Sequence, residues 1–209
     1  MELNENKEKY DFYLLIISEY GKSNSGTLIR SASAFNCKEI FILGKDKKVL
    51  KKFFGNQGTV KKMKFQFFES PNLIIEYCNE NSINLCCVDI NFKELKKDSI
   101  PIEKADFKGN TLFIIGNSQN KICNELLNAC NQFIYVNQHS NLLGEINLSI
   151  VGSIVFHYFG LWAGYIQAGL NEQFKSEKYI VDNKKINAKE NYEELKKQKK
   201  DKISIKNDN

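Results

Sequence analysis

Short apolar runs alternate along the chain with longer stretches in which apolar positions recur at helical spacing. "FYLLII" (12–17), "EIFIL" (39–43), "KFQFF" (64–68), "NLCCVDI" (84–90), "TLFIIG" (111–116) and "QFIYV" (132–136) are rich in aromatic and β-branched residues. Several lack polar alternation, as strands do when both faces of a sheet are covered. Between them the spacing predicts helices over 24–36, 71–81, 122–130 and 147–160. A repeated β-α-β order of this kind predicts an α/β fold built on a mainly parallel sheet. Ligands of such sheets gather at the C-terminal ends of the strands.

The texture changes near the end. Residues 183–209 carry many charges and few apolar side chains, which predicts a partly helical, partly disordered extension. A length of 209 residues suits one well-buried domain, here expected over 1–171 with the charged extension at 172–209. Hydrophobic residues make up 42% and charged residues 26%, the mix of a folding globular chain. Of the net charge of +5, residues 172–209 supply +3 (11 basic, 8 acidic), leaving +2 for the first 171. Attraction to nucleic acid is therefore expected to be local, with Lys61, Lys62, Lys64 and Lys121 as candidate phosphate contacts against a background of solvating lysines.

Six cysteines without a C-x-x-C pair, and only His139 and His157 beside them, lack zinc-ligand spacing and read as reduced thiols, so no metal is expected. The polar, acidic N-terminus has no signal-like apolar segment, which points to the cytosol or nucleus. The longest apolar region, 146–170, is interrupted by Asn147, Ser149, His157 and Gln167, favouring a buried helix over a membrane span. Within it His157 reads as a satisfied buried or interface side chain, and Tyr158 and Trp162 as core or interface aromatics.

Neither G-x-G-x-x-G after the first strand nor G-x-x-x-x-G-K-[ST] is present, so the common nucleotide loops are excluded. What remains are two strand-end loops, "GNSQNK" (116–121) and "NQHSNLLGEIN" (137–147), and one arginine, Arg30, among 30 basic residues. Arginine offers a planar, permanently protonated fork that lysine cannot imitate.

Three segments in fixed order carry a resemblance: "NSGTLIRSASAFNCKEIFIL" (24–43), "LFIIGNSQNKICNELLNACNQFIYV" (112–136) and "EINLSIVGSIVFHYFGLWAGY" (145–165). Over roughly residues 10–170 the sequence resembles the SpoU/TrmH branch of the SPOUT methyltransferases. "FGNQGTVKKMKFQFFES" (54–70) and "FGLWAGY" look closest to a eukaryotic subgroup. The resemblance implies an α/β-knot fold, a mainly parallel sheet with a C-terminal deep trefoil knot, that binds S-adenosyl-L-methionine and methylates a ribose 2′-hydroxyl of tRNA or rRNA. It also implies a homodimer formed through the knot region, and the apolar helix around Phe156, Phe159 and Trp162 is the expected contact surface.

Carried onto this chain, the resemblance places Asn24, Arg30, Glu145 and Asn147 at the reaction centre, with Asn147 fixing loop geometry. It places Ile115, Gly116, Asn117, Ser118, Val136, Ile146 and Leu148 against the cofactor, with Gln138 bordering it. In a helix beginning near Asn24, residues Gly26, Arg30 and Ser33 share a face, so the missing side chain at Gly26 is expected to admit RNA or cofactor beside Arg30. The chain also departs from the family pattern. Ser118 stands for a glutamate, Lys121 for a glycine, Glu145 for a serine, and Gly21-Lys22 for an asparagine-proline. Glu145 is the candidate for a relocated carboxylate, and a catalytically silent RNA-binding subunit is the alternative expectation.

Overall fold

The computed structural model describes residues 10–17, 22–89, 99–116, 122–140 and 146–166. Among the described residues of the compact unit Met1–Tyr165, seven strands run β1 (Phe12–Ile17), β2 (Glu39–Leu43), β3 (Phe65–Phe68), β4 (Asn84–Asp89), β5 (Ile100–Pro101), β6 (Thr111–Ile115) and β7 (Gln132–Tyr135). Four helices connect or follow them: α1 (Lys22–Ala34), α2 (Pro71–Glu80), α3 (Asn124–Ala129) and α4 (Leu148–Trp162). A second unit, Ile166–Asn209, lies outside the described residues except for Ile166.

The strands form one sheet in the order β3-β2-β1-β6-β4-β7-β5, and every pairing is parallel. Consecutive apolar residues in each strand serve opposite faces. Phe12, Leu14 and Ile16 of β1, Ile40 and Ile42 of β2, and Phe113 and Ile115 of β6 join the core under α1 and α4. Leu15, Phe41, Leu112 and Ile114 join the core under α2 and α3. This two-sided burial is why the strand sequences show no polar alternation.

All six expected strands and all four expected helices form, with boundaries shifted by a residue or two. One strand was not anticipated. β5 is two residues long, contains Pro101 and lies at the sheet edge, where a missing N–H is tolerated and sequence pattern is weakest. Short 3-10 helices at Lys47–Lys52 and Thr59–Lys61 fill the connection between β2 and β3.

Two buried helical glycines set how closely elements approach. A Cβ on Gly152 of α4 would lie 2.3 Å from Leu28 Cδ1 of α1 and 3.2 Å from Ile115 Cδ1 of β6. The bare backbone lets α4 cross α1 over the end of β6, and Ser153 Oγ donates to Ser31 Oγ at 2.8 Å across the same crossing. A Cβ on Gly26 would lie 1.8 Å from the Phe54 carbonyl oxygen and 2.8 Å from that of Phe53.

Candidate active site

Because the sheet is parallel, the C-terminal ends of its strands share one edge. α1 starts from that edge after β1, and α4 starts from it after β7, so the two helix N-termini meet there. Asn147 caps α4: its Oδ1 accepts from the Ser149 N–H at 2.9 Å and from Ser149 Oγ at 2.7 Å. Its Nδ2 donates to Asn24 Oδ1 at 3.3 Å. Two residues 123 positions apart are thus joined by one side-chain contact, while the Asn24 carbonyl accepts from Thr27 Oγ1 at 2.9 Å.

Neither α1 nor α4 has an acidic residue in its first turn. Within their first turns neither helix end carries a negative side chain, and both favour an approaching anion. Arg30 lies farther along α1, exposed and without an ion pair among the described residues. Its fork is available for a phosphate or another oxygen-bearing group.

Gly26 does not do what its sequence context suggested. The space above it is filled by the protein's own backbone at Phe53 and Phe54, so it admits a loop of this chain and neither RNA nor cofactor. Sequence spacing places residues on a helix face but is silent about which distant segment covers that face.

Ile115 and Gly116, at the end of β6, are buried. Val136, Ile146 and Leu148 are half-buried and pack against the main core, and Gln138 is half-buried after β7. Its neighbour Asn137 donates through Nδ2 to Glu103 Oε1. Apolar side chains in partial exposure, interleaved with strand-end main chain, suit a flat heteroaromatic ring and its hydrogen-bonding edge. Asn117, Ser118, Lys121 and Glu145 lie outside the described residues.

Four of the six thiols are held in their protonated form. Burial pushes the Cys78 thiol up to about 12 and also raises those of Cys37 and Cys86; the half-exposed Cys123 is raised too, chiefly by burial. A covalent route through any of these four is therefore disfavoured at neutral pH. Among the described residues there is no cluster of potential metal ligands and no helix long and apolar enough to cross a membrane. His157 is exposed on α4, with its ring edge-on to Phe35 at 6.0 Å.

Residues 11–157 match the model of the SpoU rRNA Methylase family. Similar folds occur in solved structures. One, an RNA 2′-O ribose methyltransferase, is 11% identical with a TM-score of 0.59 over 78% of this chain and 60% of its own. The SpoU methyltransferase AviRb from Streptomyces viridochromogenes, in complex with the cofactor AdoMet, is 16% identical with a TM-score of 0.59 over 73% and 57%. The TrmH/SpoU tRNA modifying enzyme from A. aeolicus is 13% identical with a TM-score of 0.57 over 76% and 78%. The chain thus spans about three fifths of the length of the first two. No curated protein sequence matches it.

Proposed function

Since the chain belongs to the SpoU rRNA Methylase family, we propose that it transfers a methyl group from S-adenosylmethionine to a ribose 2′-hydroxyl of tRNA or rRNA. The observation that carries this reading is the Asn24–Asn147 contact, which joins the N-terminal turns of α1 and α4 at the ligand-bearing edge of the sheet, with Arg30 exposed farther along α1.

S-adenosylmethionine supplies an activated methyl group on a sulfonium, which leaves the protein the tasks of alignment and of favouring the hydroxyl as nucleophile. The described residues fit that group. Val136, Ile146 and Leu148 offer partly exposed apolar surface, and Gly116 and Gln138 follow strands β6 and β7, past the paired residues of the ladder, with Ile115 buried just before Gly116. Asn147 holds the start of α4 in place. Arg30 stays protonated, so its role is to hold a phosphate and to lower the energy of the ribose oxygen as negative charge develops on it. Glu145, Asn117 and Ser118 are assigned to the same proposed pocket by the sequence resemblance alone. A C-terminal trefoil knot, the family's usual frame for this pocket, is part of the proposal.

Replacing Arg30 by lysine keeps the charge and removes the fork. The expected result is a turnover lower by about 10²-fold, with S-adenosylmethionine affinity by calorimetry held within a few-fold. Mass mapping of the methylated RNA is expected to place the new methyl on ribose. Full activity in Arg30→Lys would remove the arginine from the mechanism, and a methyl on a base would overturn the substrate assignment.

A homodimer is also proposed, though not through the residues first expected. Phe156 and Phe159 are fully buried within one chain, and Trp162 is half-buried, stacked on Tyr10 with centroids 5.3 Å apart. The apolar surface of α4 is instead Ile150, Tyr158 and Leu161, at 53%, 37% and 65% exposure. These three fall on one helical stripe. Sedimentation is expected to give a dimer that Leu161→Glu dissociates.

A further inference from the structure

The connection between β2 and β3 concentrates the molecule's charge. Residues 45–64 contain eight lysines and one aspartate, net +7, whereas the whole chain is +5. Everything outside this segment therefore sums to −2. Two of the lysines are engaged: Lys45 Nζ lies 2.8 Å from Glu69 Oε2, and Lys47 Nζ sits 5.9 Å from the centroid of the Phe67 ring. Lys48, Lys51, Lys52, Lys61, Lys62 and Lys64 are exposed and have no ion pair among the described residues.

The segment is anchored from beneath. Val49 and Phe53 are buried in the main core, and Leu50, Val60 and Met63 pack against it, so the apolar positions turn inward and the lysines outward. One large apolar side chain breaks the rule: Phe54 is 66% exposed, next to a Phe53 that is 2% exposed. Its position is fixed. Asn56 Nδ2 donates to the Phe53 carbonyl at 2.5 Å, and its Oδ1 accepts from the Gly58 N–H at 2.8 Å. The Asn56 carbonyl accepts from Thr59 Oγ1 at 2.6 Å. The Phe54 carbonyl rests on Gly26 with no room for a Cβ between them. Arg30 is one helical turn beyond Gly26, about 6 Å along the axis.

We propose that residues 45–64 form a docking ledge for a single-stranded stretch of RNA, on which Phe54 stacks an unpaired base while the flanking lysines hold backbone phosphates. Exposed positive side chains around a solvent-facing aromatic supply the two interactions, phosphate attraction and base stacking, by which proteins bind single strands. Stacking needs a base free of its own partner, which excludes a regular duplex. An anionic membrane would demand a face of several inserted apolar side chains, and in this segment only Phe54 is both large, apolar and exposed. The ledge rests on the reading of RNA as substrate, and its place on α1 would deliver the bound strand toward Arg30.

The test uses the full chain and fluorescence anisotropy with an oligouridylate and an RNA duplex of equal length over a range of salt concentrations, alongside flotation with phosphatidylserine vesicles. Phe54→Ala is expected to weaken oligouridylate binding by about 5- to 100-fold while leaving its salt slope and the duplex affinity unchanged. The pairs Lys51→Ala with Lys52→Ala, and Lys61→Ala with Lys62→Ala, are each expected to reduce the slope of log affinity against log salt by about 1.4, for two phosphates. Lys108→Ala, outside the ledge, is the control, and unchanged melting temperatures verify folding. The proposal is overturned if Phe54→Ala binds oligouridylate like wild type, or if the lysine pairs behave like Lys108→Ala. Capture by vesicles through the same lysines without RNA binding also overturns it, in favour of a membrane surface. Calorimetry with S-adenosylmethionine separates the two proposals. RNA binding at the ledge without cofactor binding supports the ledge and ends the methyl-transfer reading; cofactor binding without the ledge effects ends the ledge alone.

Discussion

Gly26 and Gly152 are both buried glycines inside helices, yet what stands against each differs in kind. At Gly152 the obstacle is Leu28 Cδ1, the end of a flexible side chain; at Gly26 it is the backbone carbonyl of Phe54. A methyl at residue 152 can be met by a rotamer change and gains up to about 1 kcal/mol of helix propensity, so Gly152→Ala is expected to cost no more than about 1–2 kcal/mol of stability. Gly26→Ala must move a loop and is expected to cost more than Gly152→Ala, with the melting temperatures of the two variants ordered accordingly. The reverse order would mean that the loop is held loosely. Asn147 permits a sharper separation. Asn147→Asp keeps an oxygen for the cap and adds a charge that the helix N-terminus favours, but it loses the amide that donates to Asn24. Stability is expected to hold while methyl transfer falls, whereas Asn147→Ala should lose about 1 kcal/mol of stability as well. Urea titration beside a turnover assay reads both.

At the level of elements, strands and helices were legible because burial on both faces of a parallel sheet writes unbroken apolar runs, as in Phe12–Ile17 and Thr111–Ile115. The helix from Lys22 starts two residues earlier than its periodic pattern, since Lys22 and Ser23 add no apolar position to signal it. Asn24, Arg30 and Asn147 could be singled out from motif order and from the rarity of arginine. The proximity of Asn24 and Asn147 could not, because their contact spans 123 positions and depends on how α4 crosses α1. The role of Gly26 was misread for a related reason: spacing along one helix carries no information on the β2–β3 connection that lies over it. Phe54 was missed outright. Only its burial distinguishes it from Phe53, and two adjacent phenylalanines give no hint of which one faces water. The crossing itself can be probed by Ser31→Ala and Ser153→Ala, singly and together; a double-mutant cycle in urea is expected to return a coupling of about 0.5–1 kcal/mol.

For the molecule as a whole, the buried thiols set a limit on the alkaline side. The folded state holds Cys78 at about 12 against an ordinary 9.0, and Cys86 is also raised by burial. A group whose value is raised on folding contributes in full below its unfolded value and loses that contribution as pH rises through the folded one. Stability is therefore expected to be flat up to about pH 9 and to fall between about 9 and 12, with the fall shallower in Cys78→Val. A steep loss already near pH 7 would assign the dependence to other groups. A different consequence follows from the strand order. β6 lies between β1 and β4, and its register joins Phe12 to Thr111. During synthesis the first strand leaves the ribosome with its apolar flank ready, and the neighbour that seals it arrives only some hundred residues later. The middle of the sheet is thus among the last parts to be made. Until then the nascent chain carries an open strand edge that invites wrong pairing, and non-local closure of this kind is slow. A protein assembled in that sequence has reason to be guarded by chaperones while it is being translated.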